Sequence, residues 1–436
     1  MDSWLRRLYG RLTSRQAARE LPTSSLARFA SRFELMLNRL KKLAPRIGLY
    51  AIFSASIAYQ LSKVVQVHGG DFRCLWIAGL VWRQGLNPYS SDFDALYQLN
   101  FGAMSPADWW VYPPQWYPIV VLFSFLPFKS ALLSWSLLSI ACLISGSWLV
   151  AKAFETSHNG SHKLLFVLGT IFVCSMDATA GSIVLGQTSS LIYFGMSLLL
   201  YGLATGAHRW LVAGLVVVAL KPNIGAVFFA AILGLAHMRA VATATIVSLA
   251  GCIPSFFLLG ISANIHGFLR NVGRYGGVKW NAPPELIGLT HLLNWLTGNT
   301  VSAIALTLSA ASVALVVCLS VGATRRDQAL FAVIACIGMF LFILPLHGYD
   351  MLLIVPVALL ALIIEHPSRW LICIGTLITL RSGNIALISG IRNPATSVFL
   401  GSSLTSIAGL LIFIAALWIA VDLRLGKIGN CVNACP

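Results

Sequence analysis

Charge is scarce in this chain, and negative charge is scarcer still. Of 436 residues only 10% are Asp, Glu, Lys or Arg, and 14 acids stand against 30 bases. A soluble domain carries about 25% charged residues, so this scarcity excludes an ordinary water-soluble fold. The nine cysteines lack the spacing of a disulfide framework. Six of them (Cys142, Cys174, Cys252, Cys318, Cys336 and Cys373) fall inside apolar runs, and only Cys74 reads as lying on the outer face. Cys431 and Cys435 have no second ligand pair, which argues against zinc. The chain also lacks a phosphate-cradling glycine loop, a His/Cys cluster and a Ser/His/Asp set in recognisable context. Neither a cofactor nor a metal is expected.

What the chain has instead is apolar length. Hydrophobic residues make up 58% of it and the mean hydropathy is +0.81. Only helices and closed barrels satisfy their backbone inside a bilayer, and uniform runs without period-2 alternation select helices. The expected fold is therefore all-α: a polytopic bundle of ten to twelve transmembrane helices with helical outer loops. Apolar runs fall at 47–67, 115–128, 130–151, 164–181, 188–206, 210–236, 240–260, 299–321, 328–345, 351–364, 370–390 and 397–420. If 115–128 and 130–151 both crossed, the later positive turns would face the wrong side. The first of the two is short for a span, and a broken or half-inserted helix there restores the parity.

Residues 1–46 hold eleven Lys/Arg and three acids, a net charge of +8. Such an arm places the N-terminus in the cytoplasm by the positive-inside rule and can lie on anionic headgroups. It is too long for the charged start of a signal peptide. No nucleic-acid partner is expected. The expected organisation is a basic arm over 1–45, a membrane domain over 46–425 with outer loops at 68–112 and 261–298, and a cytoplasmic tail over 426–436.

Asp71 follows the first apolar run by a few positions, introduced by Gly69-Gly70. A carboxylate at the mouth of a membrane helix is placed to serve a polar acceptor and a lipid-borne donor together; a solvated helix-end Asp is the bland alternative. Lys221-Pro222-Asn223 interrupts a long apolar run, and an ammonium at membrane depth commonly serves a pathway or a bound ion. Gly186-Gln187 and His347-Gly348-Tyr349-Asp350 are polar turns between spans, in which Asp350 is expected to orient His347. Arg270, Arg274 and Lys279 put three cations on the outer side against the usual trend, suited to an anionic ligand or to lipid headgroups. Asp92 and Asp94 have metal-site spacing, but they follow Ser90-Ser91, where helix capping is the better reading.

Taken in order, Asp71-Phe72, Asn87-Pro88-Tyr89, Tyr112-Pro113-Pro114, Gly186-Gln187, Ala213-Gly214-Leu215 through Lys221-Pro222 and His347-Gly348-Tyr349-Asp350 form a pattern. It resembles glycosyltransferase family 87, polyprenol-phosphate-mannose-dependent mannosyltransferases of the GT-C fold, over about residues 46–365. The resemblance implies that Asp71 is the catalytic aspartate. It also implies a polyprenyl-phosphate sugar donor, a lipid or glycan hydroxyl acceptor, and a site on the periplasmic side of a bacterial inner membrane.

On that footing Asp71 is the expected general base, with inversion at the anomeric carbon. Lys221, Arg270, Arg274, Lys279 and His347 are expected at the donor phosphate. Gln187, Tyr112, Trp76, Tyr349 and Asp350 are expected at the sugar or acceptor, with Trp109, Trp110 and Trp280 as further stacking surfaces. Two rivals remain at this point: a carrier or flippase for lipid-linked sugars, and an oligosaccharide ligase or polymerase using a diphosphate-linked donor.

Overall fold

The backbone resolves its hydrogen-bonding problem within each segment, as a chain in lipid must. The computed structural model describes residues 23–105, 108–158, 162–299, 328–382 and 397–427. Residues 1–22 of the basic arm, the run 299–321 beyond residue 299, part of 370–390, Cys318, the Trp280 side chain and the Cys431/Cys435 pair lie outside the described residues. The chain divides into a unit ending at Ala55 and one beginning at Ser56.

Helices α1 (Thr23–Val64), α2 (Gly70–Arg83) and α3 (Ser91–Phe101) open the described chain. Ser90 caps α3 by accepting from the Asp92 amide, which gives Asp92 the capping place expected of it. A 3-10 turn (Pro114–Trp116) leads into α4 (Tyr117–Ser124) and then α5 (Phe128–His158). Helices α6 (His162–Ser175), α7 (Asp177–Leu185), α8 (Ser189–Thr205), α9 (His208–Val218), α10 (Pro222–Gly234) and α11 (Met238–Leu259) follow. Beyond them come α12 (Ile261–Gly276), α13 (Leu289–Thr297) and α14 (Ala329–Ile343). A 3-10 stretch (Gly348–Ile354), α15 (Val355–Ile363), α16 (Arg369–Leu380) and α17 (Ser397–Arg424) complete it.

This is an all-α polytopic membrane protein. Among the described residues three helices are long and apolar enough to cross a membrane: Phe128–Ser157, Met238–Leu259 and Ser403–Arg424. Helices α6 and α7 are apolar enough only when taken together and bend by 63° at Met176, the form of a broken span or a re-entrant loop. Where the sequence predicts ten to twelve spans, much of the other apolar length among the described residues is held in six shorter helices of 10–17 residues, while the 47–67 run lies chiefly in α1. Lys221-Pro222 is one reason for the shortening, since Pro cannot donate inside a helix and so divides 210–236 into α9 and α10.

The 115–128 run does not form a full span. It holds the 3-10 turn and the eight-residue α4, about 12 Å of helix at 1.5 Å per residue, too short to cross. It serves as a brace. The Trp116 indole donates to the Leu220 carbonyl at 2.8 Å, and the Gln115 amide donates to the Ala219 carbonyl. Both bonds grip the end of α9, one residue or two before Lys221. Helix α8 packs between α5 and α9. A Cβ on Gly214 of α9 would lie 2.5 Å from the Leu199 amide nitrogen, so only glycine permits that approach.

Candidate active site

Asp71 lies in the first turn of α2, behind Gly69 in the left-handed conformation (φ 61°). Backbone amides of His68 and Gly69 both donate to the Val184 carbonyl at 3.2 Å, which fastens this entry to the end of α7. Gly186 ends α7, also left-handed (φ 72°). Its carbonyl accepts from the Trp135 indole at 3.0 Å. The next residue, Gln187, donates its side-chain amide to the Asp71 carboxylate. Two residues further, Ser189 donates to the Asp350 carboxylate at 2.6 Å, and Lys221 donates to the same oxygen at 2.5 Å. One short stretch, Gln187 to Ser189, therefore positions the carboxylate and the cation together.

These groups open into a cavity of about 460 Å³. Its walls include Asp71, Gln187, Lys221, Asp350, His347 and Tyr349 from the bundle, with Trp109 and Tyr112 from the first outer loop. Phe268, Val272, Tyr275 and Asn281 come from the second. Two ties hold that second loop to the late turn: the Ile287 amide donates to the Leu346 carbonyl at 2.9 Å, and Asn281 meets His347 at 3.0 Å. Lys221 also sits over the Tyr349 ring at 5.3 Å, and that ring stacks on His347 with centroids 5.1 Å apart.

Burial dominates the electrostatics. It pushes the Asp71 carboxyl up from 3.8 to about 6, with Asp108 adding to the rise; the Gln187 hydrogen bond and the Lys221 charge oppose it. His347 is held below its ordinary value, again chiefly by burial, with Lys221 in the same direction and Asp350 opposing. A carboxylate poised near neutrality is suited to removing a proton from a hydroxyl.

The structure brings together Asp71, Gln187, Lys221, His347, Tyr349, Asp350, Tyr112 and Trp109 of the residues singled out in the sequence. It seats the others differently. Trp76 is buried beneath the loop, its indole donating to the Leu126 carbonyl at 3.0 Å, and does not line the cavity. Arg270 donates to the Tyr89 carbonyl and Arg274 lies 5.9 Å over the Trp109 ring, both outside the lining; Lys279 is exposed and also outside it. Trp110 is buried. Asp350 meets His347 through the backbone, its amide donating to the His347 carbonyl at 2.9 Å, while its carboxylate is taken by Lys221 and Ser189 because a buried acid is held by the nearest cation.

The sequence reading gave no role to Asn223, Tyr275 and Asn281, which line the wall, or to Ser189, which lies behind it. Asn223 had a signal, since it directly follows Lys221-Pro222. Asn281 and Tyr275 had none, because their loop is held over the cavity by tertiary ties, Ile287 to Leu346 and Asn281 to His347.

The site is a cavity in a helical membrane bundle, faced by the Asp71 carboxylate and by a lysine paired with a buried acid. The family model for Glycosyltransferase family 87 matches residues 110–345, and the chain belongs to that family. It is a membrane glycosyltransferase. No curated protein and no solved structure matches it. The matched stretch contains Gln187 and Lys221 but begins after Asp71, so the case for Asp71 rests on geometry and charge.

Proposed function

We propose that the chain transfers a sugar from a polyprenyl-phosphate donor to a hydroxyl of a lipid- or glycan-linked acceptor, with inversion and with Asp71 as general base. The observation that carries the reading is the pairing of Asp71, raised to about 6, with Lys221 in one cavity. The donor already bears an activated leaving group, so two tasks remain: deprotonating the acceptor and stabilising the departing phosphate.

On this reading the acceptor oxygen gives its proton to the Asp71 carboxylate as it attacks the anomeric carbon. The bond from that carbon to the phosphate oxygen breaks on the opposite face, and both electrons leave with the phosphate. The proton then passes from Asp71 to water. Lys221 supports the phosphate, and it stands at the start of α10, whose N-terminus favours negative charge. Asn223 lines the cavity from the first turn of that helix. His347, kept neutral by burial, serves as a hydrogen-bonding group and not as a second charge. Tyr112 and Tyr349 offer ring faces and hydroxyls to a sugar. The basic arm supports a cytoplasmic N-terminus, and on this reading the cavity faces the periplasmic side of a bacterial inner membrane.

The test uses purified protein with a radiolabelled polyprenyl-phosphate sugar and an acceptor extract. Asp71→Asn is expected to abolish transfer while donor binding persists. Turnover retained in that variant removes Asp71 from its role. Wild-type protein that moves labelled lipid across a vesicle membrane with no glycosidic product would favour a carrier instead.

A further inference from the structure

Helix α12 is amphipathic the wrong way round for water. Projected at about 100° per residue, Ile261, Ile265, Leu269 and Val272 fall within an arc of about 80°, and Asn264, Gly267 and Asn271 share another. The polar arc is the one buried against the protein. Asn264 donates to the Ser255 and Gly260 carbonyls at 3.0 and 2.8 Å, and Asn271 donates to the Trp110 carbonyl at 3.0 Å. Gly267 lies so close to Tyr89 that a Cβ would come within 2.6 Å of the tyrosine Cβ. The apolar arc points outward, with Ile261 60% and Leu269 58% exposed. Arg270 and Arg274 lie on neither arc. They turn toward Tyr89 and Trp109, away from the apolar stripe.

We propose that α12 is seated in the lipid: its polar side docks on the protein and its Ile261, Ile265, Leu269 and Val272 stripe enters the acyl boundary of the leaflet.

Two independent observations select lipid as the occupant. The stripe continues from α11, a helix apolar enough to cross a membrane whose most apolar window is only 17% buried. Ile246, Leu249, Ile253 and Phe257 of α11 are exposed, and the chain passes straight through the Gly260 turn into Ile261. At the far end of the same outer loop, Trp295 is 60% exposed on α13, in keeping with the enrichment of Trp at the membrane–water boundary. Exposed apolar surface of this extent marks a membrane or protein contact, and its continuity with a span favours the membrane. The seating has a structural consequence. Phe268, Val272 and Tyr275 are also cavity wall, so lipid holds one side of the cavity in place, and Val272 borders both.

The test needs no variant. Full-length protein is reconstituted in vesicles of zwitterionic phosphatidylcholine carrying a trace of phosphatidylcholine with a diazirine in its acyl chain. After irradiation, adducts are mapped by peptide mass spectrometry. Adducts are expected on Ile261, Ile265 and Leu269 at yields comparable to Phe257 of α11, with none on Arg270, Gly273 or Arg274. An unlabelled α12 beside a labelled α11 overturns the proposal. So does an unlabelled stripe whose residues crosslink between two copies of the chain, which would make it a dimer contact. Because the readout is labelling and not transfer, its failure is distinguishable from failure of the catalytic reading.

Discussion

Lys221 donates to Asp350 at 2.5 Å across 129 residues of sequence, and the acid that receives it is 1% exposed. The pair explains how an ammonium is held at the foot of a half-dry cavity, since neither buried charge is left without a partner. It also makes Asp350 a positioning residue, with Ser189 as its second donor.

Removing one member of this pair should therefore cost more than removing both. Lys221→Met leaves a buried carboxylate with Ser189 as its remaining side-chain donor, a loss of roughly 3–5 kcal/mol by the behaviour of other broken buried pairs. Lys221→Met with Asp350→Leu should recover much of that stability. Neither variant should regain transfer. Thermal midpoints in one detergent, read beside initial rates, test both halves, and a double variant no more stable than the single one would contradict the pairing.

The pH profile follows from Asp71. A base with a pKa raised to about 6 is charged above that value, so transfer should fall as pH drops through about 6, not near 4. Gln187 donates to the carboxylate and so favours its charged form. Gln187→Leu should move the acid limb to higher pH and leave a functional enzyme above it. His347 is held below its ordinary value, so it is neutral at pH 7 and adds no limb on the alkaline side. Rates from pH 5 to pH 9 with wild type and Gln187→Leu decide this, and an unmoved limb would detach Gln187 from the base.

What could be read from residues alone followed the strength of each signal. Apolar length and the missing charge declare an all-α membrane protein because the bilayer admits few alternatives. Asp71, Lys221 and Gln187 were legible because each interrupts apolar surroundings. Trp76 and the cations of the second outer loop were not separable from residues that line the cavity. An aromatic buried under a loop and one lining a cavity carry the same local pattern, and Arg270 gave no hint that the Tyr89 carbonyl would take it. The helix lengths were hidden too, because breaks such as Met176 depend on packing.

Asp71→Asn should gain stability as it loses activity. The unfolded carboxyl ionises near 3.8 and the folded one near 6. As pH rises between these values the unfolded state releases its proton first, so folding stability declines, and above about 6 the full cost stands. A shift of this size corresponds to at most about 3 kcal/mol, and cavity water reduces it to roughly 1–2 kcal/mol. The neutral amide escapes that cost. The variant's thermal midpoint should exceed wild type at pH 7.5 and converge with it below about pH 4; a gain that persists unchanged in acid would mean the stabilisation has another origin.

Gly186 and Gly206 separate strain from position. Both are left-handed, with φ of 72° and 67°, so alanine at either carries a backbone cost of about 1–2 kcal/mol. At Gly206 a Cβ meets nothing within 4 Å, whereas at Gly186 it falls 2.6 Å from the Phe72 Cβ. Phe72 follows the proposed base and Gln187 follows Gly186, so relieving that clash moves the carboxylate and the amide that holds it. Gly206→Ala should lower stability slightly and leave the turnover number intact. Gly186→Ala should lower the turnover number by an order of magnitude or more, with helicity by circular dichroism retained and the acid limb shifted upward as the Gln187 bond lengthens. Equal rates in the two variants would show that the α7 turn does not position the Asp71 carboxylate.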